Sequence, residues 1–548
     1  MKTNALYYGD NLDILRRYMP DESVDLVYLD PPFSSNRAYN VIFKDESGRK
    51  SDAQIVAFDD TWHWGPGPEA HYSYLTNTGI NHGKVPSPVS TIIAALRAGI
   101  GENQMMAYLV EMAVRLVELQ RVLKPTGSLY LHCDPTASHY LKVLLDAIFD
   151  ARNFRNEISW KRFSAKNDPK RYGRNHDVLL FYSKGSTMTW NPLYGPFEED
   201  YVAENYRYVE EGTGRRYRLS DLTANKPGGD VDYEWHGMHP YKGRHWAFSR
   251  DNLDKFLGEG RIVFRRTGMP VYKRYLDEMP GVPQQDIWTD IRLQAGSKER
   301  LGWDTQKPLA LLERILAASS NPGDVILDPF CGCGTALVAA QKLGRQWVGI
   351  DVTYLSIAVM KARLRDSFGL SDVEVIGQPT EVDGARAMLV GTGLEGQYQF
   401  QWWALDLVGA QPQGDTKKKG ADKGVDGVIN FTGAGGKMES VIVSVKSGGV
   451  GAAMIQQLKG AMETHGAAMG LFITLEEPTG PMKHEAAIAG AYHSELSGKD
   501  YPRLQMMTIR ELLEEHRKPD LPPFVLPTYQ RAQKVRGPSG EEQGELFG

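Results

Sequence analysis

Two short motifs carry residue types that could activate an amine and hold a nucleotide-like ligand. The first is DPPF, in which Asp30, Pro31, Pro32 and Phe33 follow the apolar run VDLVYL. The prolines fix backbone φ, so the main-chain carbonyls beside Asp30 point in predictable directions. A carboxylate and a carbonyl that accept the two hydrogens of an exocyclic amine would free its lone pair, and Phe33 could stack on the attached ring. DPPF therefore predicts a site for chemistry on an aromatic amine.

The second motif is the glycine turn DPFCGCGT, which runs from Asp328 to Thr335 after an apolar strand pattern. Glycines let a backbone approach a ligand closely, and nucleotides bind at the strand ends of parallel sheets. The next predicted strand, QWVGID, ends at Asp351, whose carboxylate could accept both hydroxyls of a ribose. Cys331 and Cys333 form one CxC pair, which cannot complete a four-ligand zinc site, so we expect them to be buried turn residues. The pattern predicts a nucleotide pocket without a metal.

Alternating predicted strands and helices position both motifs, which predicts an α/β fold with a parallel sheet. Residues 44–102 interrupt the alternation, and we expect an irregular insertion there because Gly, Pro, Ser and Asn are frequent. The predicted division is a DPPF-bearing part at 1–184, an inserted module at 185–294, a glycine-turn part at 295–370, a linker at 371–395, a second α/β domain at 396–515 and a disordered tail at 516–548.

The two motifs together resemble the amino-methyltransferases of DNA, and their order is similar to that of the β-class members in restriction-modification systems. The resemblance covers about residues 4–365 and implies a Rossmann-like S-adenosylmethionine-dependent methyltransferase fold. NHDVLLFYSK, from Asn175, resembles the strand before the inserted target-recognition domain, which would be 185–294.

The resemblance also implies roles for individual residues. Asp30 would be catalytic, assisted by Pro31, Pro32 and Phe33. S-adenosylmethionine would be the cofactor, with these contacts: Asp10 beside Gly9, Thr305, Lys307, Pro308, Asp328, Phe330, Gly332, Gly334, Thr335 and Asp351.

The implied reaction is site-specific methyl transfer to the exocyclic amine of a base flipped out of duplex DNA. Asp30 favours adenine N6, because the cytosine-N4 enzymes more often carry Ser at this position; cytosine N4 is the alternative. Phe33 stands where Tyr is commoner and Cys333 where Ser is frequent, and neither change removes a function that we can name. A catalytically silent DNA-binding subunit is a further alternative, which the intact motifs disfavour.

Residues 396–515 resemble the Mrr-like branch of the PD-(D/E)xK nucleases, a restriction-endonuclease-like α/β fold, through GVDG and a strand ending SVK. In those enzymes carboxylates hold Mg²⁺ and a lysine assists the attacking water. Asp426 and Lys446 match, but Ser444 stands where a second metal-binding side chain is expected. We therefore favour a nuclease-like binding module, and the alternative is a bifunctional restriction-modification enzyme that cuts DNA with Mg²⁺. The lysines at 417–419 would contact phosphate or form a solvated loop tip, and we favour phosphate.

The net charge of −5 excludes histone-like coating of nucleic acid, so DNA contacts must come from local basic surface. Cations alternate with aromatic residues at 160–174 and 261–275, an arrangement that can hold phosphates and stack on bases. Double-stranded DNA is the predicted partner, and a homodimer or a restriction-system partner is left open. No apolar run reaches membrane-spanning length, and the three cysteines and polar start predict a cytoplasmic protein.

Overall fold

The computed structural model describes residues 1–32, 38–44, 50–59, 62–165, 168–225, 231–294, 296–303, 305–390, 393–413, 424–529 and 531–535, with only the backbone of 38–44, 50–59 and 393–394. Phe33 and the lysines at 417–419 lie outside the described residues. The strands of the central sheet are β1 (Ala5–Tyr8), β2 (Val24–Leu29), β3 (Leu123–Cys133), β4 (Phe154–Lys161), β5 (His176–Ser183), β6 (Ile287–Trp288), β7 (Val325–Asp328), β8 (Gln346–Asp351) and β9 (Val375–Ile376).

Within the described residues, these nine strands lie in the order β6-β4-β5-β3-β2-β7-β8-β1-β9. From β3 to β9 every neighbouring pair is parallel, as the alternation predicts. The central β2 is almost wholly buried, which explains its continuous apolar run. In contrast, β5 is antiparallel to both β3 and β4, because a loop without a crossover helix joins β4 to β5.

Helices cover the sheet and contribute to one large core. The longest helix, Gln104–Val122, coincides with a segment whose apolar residues recur at helical spacing, and it is buried along nearly its whole length. The other helices of this part are Asn11–Tyr18, Pro66–Thr76, Thr78–Asn81, Ser87–Ile100, Ser138–Phe149, Leu309–Ser319, Thr335–Lys342 and Tyr354–Phe368, with a 3₁₀ turn at Ala151–Asn153.

The expectation that 44–102 is irregular was wrong for most of this segment. The strands Ala38–Lys44 and Lys50–Asp59 pair in antiparallel fashion, and three helices follow between residues 66 and 100. Its prolines and glycines mark element ends: Pro66 begins one helix, and Gly101 follows the last residue of another. Their frequency therefore reflects helix boundaries and not a lack of structure.

Residues Pro192–Gln285 form a separate compact unit. Its core packs around Trp235 and Trp246. An antiparallel sheet contains Ile262–Phe264, Pro270–Tyr275, Arg216–Asp221 and Tyr208–Val209 in spatial order. Shorter elements are Tyr194–Gly195, Glu199–Asn205, Thr223–Ala224, His245–Trp246, Arg250–Gly258, Leu276–Glu278 and Val282–Pro283.

The C-terminal part has its own sheet, made of β10 (Gln411–Pro412), β11 (Gly427–Thr432), β12 (Met438–Lys446), β13 (Met469–Thr474) and β14 (Leu504–Thr508). The described strands lie in this same order, and β12, β13 and β14 are parallel. The remaining elements are Gly393–Leu407, Ala434–Gly436, Ala452–His465, Gly480–Ile488, Ala491–Ser494, Lys499–Pro502 and Ile509–Leu513.

The segments expected to be a linker and a disordered tail are structured where they are described. The linker contains β9, which pairs with β1, and the helix Val382–Ala387. In the tail, Leu526 N donates to Asn430 O over 2.7 Å, and Val535 N donates to Ser367 O over 3.0 Å. Main-chain pairing requires no apolar side chains, so composition did not reveal this order.

Among the described residues, no helix is long and apolar enough to cross a membrane.

Candidate active site

A cavity of about 340 Å³ lies at the carboxyl ends of four neighbouring strands, β2, β7, β8 and β1. Each strand places an aspartate on its wall, namely Asp30, Asp328, Asp351 and Asp10. Parallel strands bring their carboxyl ends to one edge, so residues more than 300 positions apart in the sequence meet there.

Most of the residues that the sequence singled out line this one cavity. They are Asp10, Asp30, Pro31, Pro32, Thr305, Lys307, Asp328, Phe330, Gly332, Thr335 and Asp351. Pro308 and Gly334 are not among the lining residues; Pro308 precedes the helix Leu309–Ser319 as its N-cap.

Gly334 packs closely against a neighbouring helix. Its φ is +75°, and a Cβ atom there would lie 2.8 Å from Cγ of Met360. The absence of a side chain therefore lets the glycine turn pack on the helix Tyr354–Phe368.

Asp30 is engaged in an ion pair inside the cavity. Nζ of Lys307 donates to Oδ2 of Asp30, and the side chains are 17% exposed for Asp30 and 7% for Lys307. Thr335 Oγ1 donates to the main-chain oxygen of Lys307 over 3.3 Å, so the first helical residue after the glycine turn also contacts Lys307. The two motifs are thus joined through one lysine.

Asp351 holds the glycine turn against β8. Its Oδ2 accepts from Gly332 N over 2.9 Å, and its Oδ1 accepts from both N and Oγ1 of Thr353 over 2.9 Å. Burial raises the pKa of Asp351, and these donors oppose the rise. A carboxylate oxygen can accept more than one hydrogen bond, so Asp351 keeps capacity for a ligand hydroxyl.

The interior of the turn is too buried to favour charge. Burial raises the pKa of Asp328 well above its usual range, although Phe330 N donates to its carboxylate over 3.0 Å. Burial likewise raises the pKa of the Cys331 and Cys333 thiols, and both residues are buried as predicted. Burial therefore favours the neutral forms of Asp328 and of both thiols.

Arg115 organises a second set of contacts that the sequence reasoning missed. It donates to Asp10 Oδ2 over 2.9 Å, to Glu111 Oε2 over 2.7 Å and to Asn11 Oδ1 over 2.6 Å. Asn11 in turn donates to Pro329 O over 2.9 Å, which ties the start of the helix Asn11–Tyr18 to the glycine turn. The available signal was the presence of Glu111, Arg115 and Glu118 in a largely apolar helix, since charges in a buried helix are normally paired.

A chain of three buried polar side chains also adjoins the cavity. Tyr28 is one of the lining residues. Its hydroxyl oxygen lies 3.0 Å from Nδ1 of His132, and Nε2 of His132 lies 2.9 Å from Oδ2 of Asp177. Arg162 is 3.2 Å from the same Asp177 oxygen. The sequence alone read His132 and Asp177 only as parts of apolar strands.

The lining charges suit a cationic ligand. Leaving out Asp328, which burial favours in its neutral form, four carboxyl groups and two cations are among the described lining residues: Asp10, Asp30, Glu111, Asp351, Arg115 and Lys307. A cavity of this size is in the range of cofactor sites, and its acidic wall with a glycine turn fits a nucleoside that carries a sulfonium and an ammonium group. S-adenosylmethionine has these features.

The nuclease-like position Asp426 is enclosed by donors. Its Oδ2 accepts from Val445 N over 2.7 Å, from Ser444 Oγ over 3.1 Å and from Lys446 Nζ over 3.4 Å. Gln401 donates to the other oxygen over 3.1 Å, and burial raises the pKa of Asp426. Among the residues that the structure describes, no three His, Cys, Asp or Glu side chains group as a metal site. The arrangement does not support the Mg²⁺ alternative.

The two basic and aromatic stretches are only partly available to DNA. In the first, Trp160 is buried, whereas Tyr172 is 99% exposed. In the second, Arg261 pairs with Glu278, and Lys273 donates to Glu210 over 2.9 Å. Internal carboxylates therefore balance part of the charge that the sequence assigned to phosphate contacts.

Two family models match this chain. The family model described as DNA methylase matches residues 24–359, and the model described as NACHT-associated inactive Restriction Endonuclease 1 matches residues 398–514.

Among the similar proteins, the Type II methyltransferase M.EcaI of Enterobacter cloacae is 31% identical over 367 residues, 65% of this chain and 69% of M.EcaI. The Type III restriction-modification enzyme StyLTI Mod subunit of Salmonella typhimurium is 25% identical over 63% of this chain, and the match spans only half of the subunit. The crystal structure of the M1.HpyAVI–SAM complex is similar with a TM-score of 0.28 and 15% identity, covering 65% of this chain and 98% of that one. The chain has the α/β fold of a Rossmann-like methyltransferase, followed by a restriction-endonuclease-like domain.

Proposed function

Because the chain belongs to the DNA methylase family, we propose that it transfers a methyl group from S-adenosylmethionine to the N6 amine of adenine at a specific DNA sequence. The observation that carries this proposal is the shared cavity of Asp30, the two prolines and the glycine turn. Asp30 supports adenine over cytosine, because Ser is the commoner residue in the cytosine-N4 enzymes.

The chain's own residues account for the chemistry through positioning. S-adenosylmethionine supplies a methyl carbon already activated by its sulfonium. Asp351 would hold the ribose hydroxyls, and Lys307 would hold the carboxylate of the methionine part. Asp30 and a main-chain carbonyl at Pro31 or Pro32 would accept the two amine hydrogens and so free the lone pair for in-line attack. Orientation of this kind lowers the barrier without a metal ion.

The unit Pro192–Gln285 is the part that we propose to read the base sequence. It is a compact unit that lies in the sequence between β5 and β6 of the central sheet, where the resemblance places a target-recognition domain. The C-terminal domain, whose Asp426 is enclosed by donors, would contribute binding surface and no cleavage.

The direct biochemical test uses the purified full chain, duplex DNA, labelled S-adenosylmethionine and EDTA, followed by mass spectrometry of the DNA nucleosides. We expect labelled N6-methyladenine. Labelled N4-methylcytosine would refute the choice of base, and unlabelled DNA would refute methyl transfer by this chain alone.

A further inference from the structure

The buried chain Tyr28–His132–Asp177 crosses three neighbouring strands and ends at the cavity. Tyr28 lies on β2, His132 on β3 and Asp177 on β5, in the order in which these strands pair. Their exposures are 2%, 0% and 3%, and the Trp160 ring packs edge-on against His132 at 5.6 Å. Tyr28 is also among the residues that line the cavity, so this chain of hydrogen bonds adjoins the candidate ligand site.

The direction of the hydrogen bonds follows from the charge states. Burial would raise the pKa of Asp177, but the His132 hydrogen bond and the nearby Arg162 and Lys307 hold it below its usual value, so Asp177 is an ionised acceptor. Burial, helped by the charge of Lys307, lowers the pKa of His132, which keeps the ring neutral. Nε2 of His132 therefore carries the hydrogen, and Nδ1 accepts from the Tyr28 hydroxyl.

Methyl transfer to an amine leaves an extra proton on the nitrogen, and a nearby group must accept this proton. The amine nitrogen forms its bond to the methyl carbon, the carbon–sulfur bond breaks with its electron pair kept by sulfur, and the nitrogen then holds one proton too many. Asp30 is a poor final acceptor, because a proton left on its carboxylate would have to leave again before Asp30 could re-form its ion pair with Lys307 in the cofactor-free protein.

We infer that Tyr28 and His132 form a relay that accepts this proton, with Asp177 as its counter-charge. The inference rests on the proposed methyl transfer. The amine proton passes to Oη of Tyr28 while the hydroxyl proton of Tyr28 passes to Nδ1 of His132, so that no net charge stays on the tyrosine. The imidazolium that results faces the Asp177 carboxylate at 2.9 Å. When the product leaves and water enters the cavity, the relay runs in reverse.

The groups that face His132 decide the pH dependence of the relay. They are Tyr28 and Asp30 from β2 and its exit, Asp177 from β5, Lys307, and Arg162 behind Asp177. A proton already on His132 blocks acceptance, so the transfer rate should fall as the pH falls through the His132 titration. At higher pH the ring is neutral and the rate reaches its plateau.

The test compares single-turnover methyl transfer by wild type, His132→Gln and Tyr28→Phe from pH 5.5 to 9 with saturating DNA and cofactor. Glutamine can still accept from Tyr28 and donate to Asp177, but it cannot take up a proton. We expect both variants to lose roughly 100-fold in rate at the plateau, within the usual contribution of acid–base catalysis. We also expect His132→Gln to lose the acidic fall in rate, with S-adenosylhomocysteine binding unchanged by calorimetry.

Tyr130→Phe is the matched control. Tyr130 is also a buried tyrosine on the neighbouring strand β3, and its hydroxyl bonds to Ser319 over 2.7 Å, away from the cavity residues. Its rate and pH profile should match those of wild type. If His132→Gln binds S-adenosylhomocysteine and transfers at the wild-type rate with the same pH profile, the relay is only structural and the inference is wrong. If His132→Gln fails to fold, the same criterion applies to Tyr28→Phe. A wild-type chain that transfers no methyl group would refute the proposed function instead.

Discussion

Asp30 and Lys307 share a largely buried ion pair, and this pair links amine activation to cofactor binding. Arg115 already contacts Asp10 and Glu111. Lys307 is therefore the cation that we expect to pair with a ligand carboxylate in this cavity. To do so, it must exchange Asp30 for the ligand. Asp30 would then hold the lysine in the cofactor-free protein and the amine in the complex.

Asp30→Ala tests both parts of this account. We expect methyl transfer to fall at least about 100-fold, the usual loss when one preorganised polar group is removed from a site. We expect S-adenosylhomocysteine to bind more tightly, because Lys307 is released, and calorimetry measures this. Binding of 5′-methylthioadenosine, which lacks the carboxylate, should not change.

Adding Lys307→Met to Asp30→Ala should remove the gain in S-adenosylhomocysteine affinity. An Asp30→Ala protein that methylates DNA near the wild-type rate would contradict the assignment of Asp30. A gain in affinity that survives Lys307→Met would contradict the role of the lysine.

Among the helices and strands, short sequence patterns correctly predicted the features that depend on neighbouring residues. The apolar run before Asp30 and the glycine turn were both correctly read as a strand end and a turn, because burial and φ depend on nearby residues. The contact between Arg115 and Asp10 joins residues 105 positions apart, and sheet order decides it. The antiparallel direction of β5 likewise depends on a loop that has no distinctive pattern.

Gly334→Ala tests how the glycine turn packs. The new Cβ would meet Met360, and overpacking of this kind usually costs about 1–3 kcal/mol. Gly323→Ala is the control, because Gly323 also has a positive φ, +88°, but open space around it. Both variants should melt below wild type, and Gly334→Ala should have the lower melting temperature. Equal melting temperatures would show that the contact with Met360 does not constrain the turn.

Arg115→Met tests the ion pairs that Arg115 makes with Glu111 on its own helix and with Asp10. The change leaves Glu111 buried without its guanidinium partner, and breaking such a pair typically costs about 3 kcal/mol. Thermal unfolding of the methylase part should shift to lower temperature. Arg17→Met, which removes an exposed pair with Asp13, should leave the melting temperature unchanged. If the two variants melt alike, Arg115 is not a structural centre.

At the scale of the whole molecule, the C-terminal domain packs on the methylase part. Tyr354 N donates to Oε1 of Gln399, on the helix Gly393–Leu407, over 2.8 Å, and Lys361 donates to Asp406 on the same helix over 2.8 Å. The nuclease-like fold is therefore integrated with the enzyme, although its Asp426 is surrounded by donors.

We predict that the full chain methylates DNA equally well in EDTA and in Mg²⁺ and leaves supercoiled plasmid uncut in both. A single enclosed carboxylate binds Mg²⁺ weakly, because affinity rises with the number of charged ligands. Gel analysis of the plasmid and counting of transferred label measure the two activities. Cleavage that needs Mg²⁺ and disappears in Asp426→Ala would establish the bifunctional alternative.

We propose that this cavity transfers a methyl group to an adenine amine in DNA and that Asp30 is its catalytic residue. The most direct test of this proposal is base-modification sequencing of DNA from methylation-deficient cells that express either the wild-type chain or Asp30→Ala, at matched protein levels. We predict N6-methyladenine at one recurring sequence with the wild type and none with the variant. Unmodified DNA in both cultures, or the same modification in both, would contradict the account.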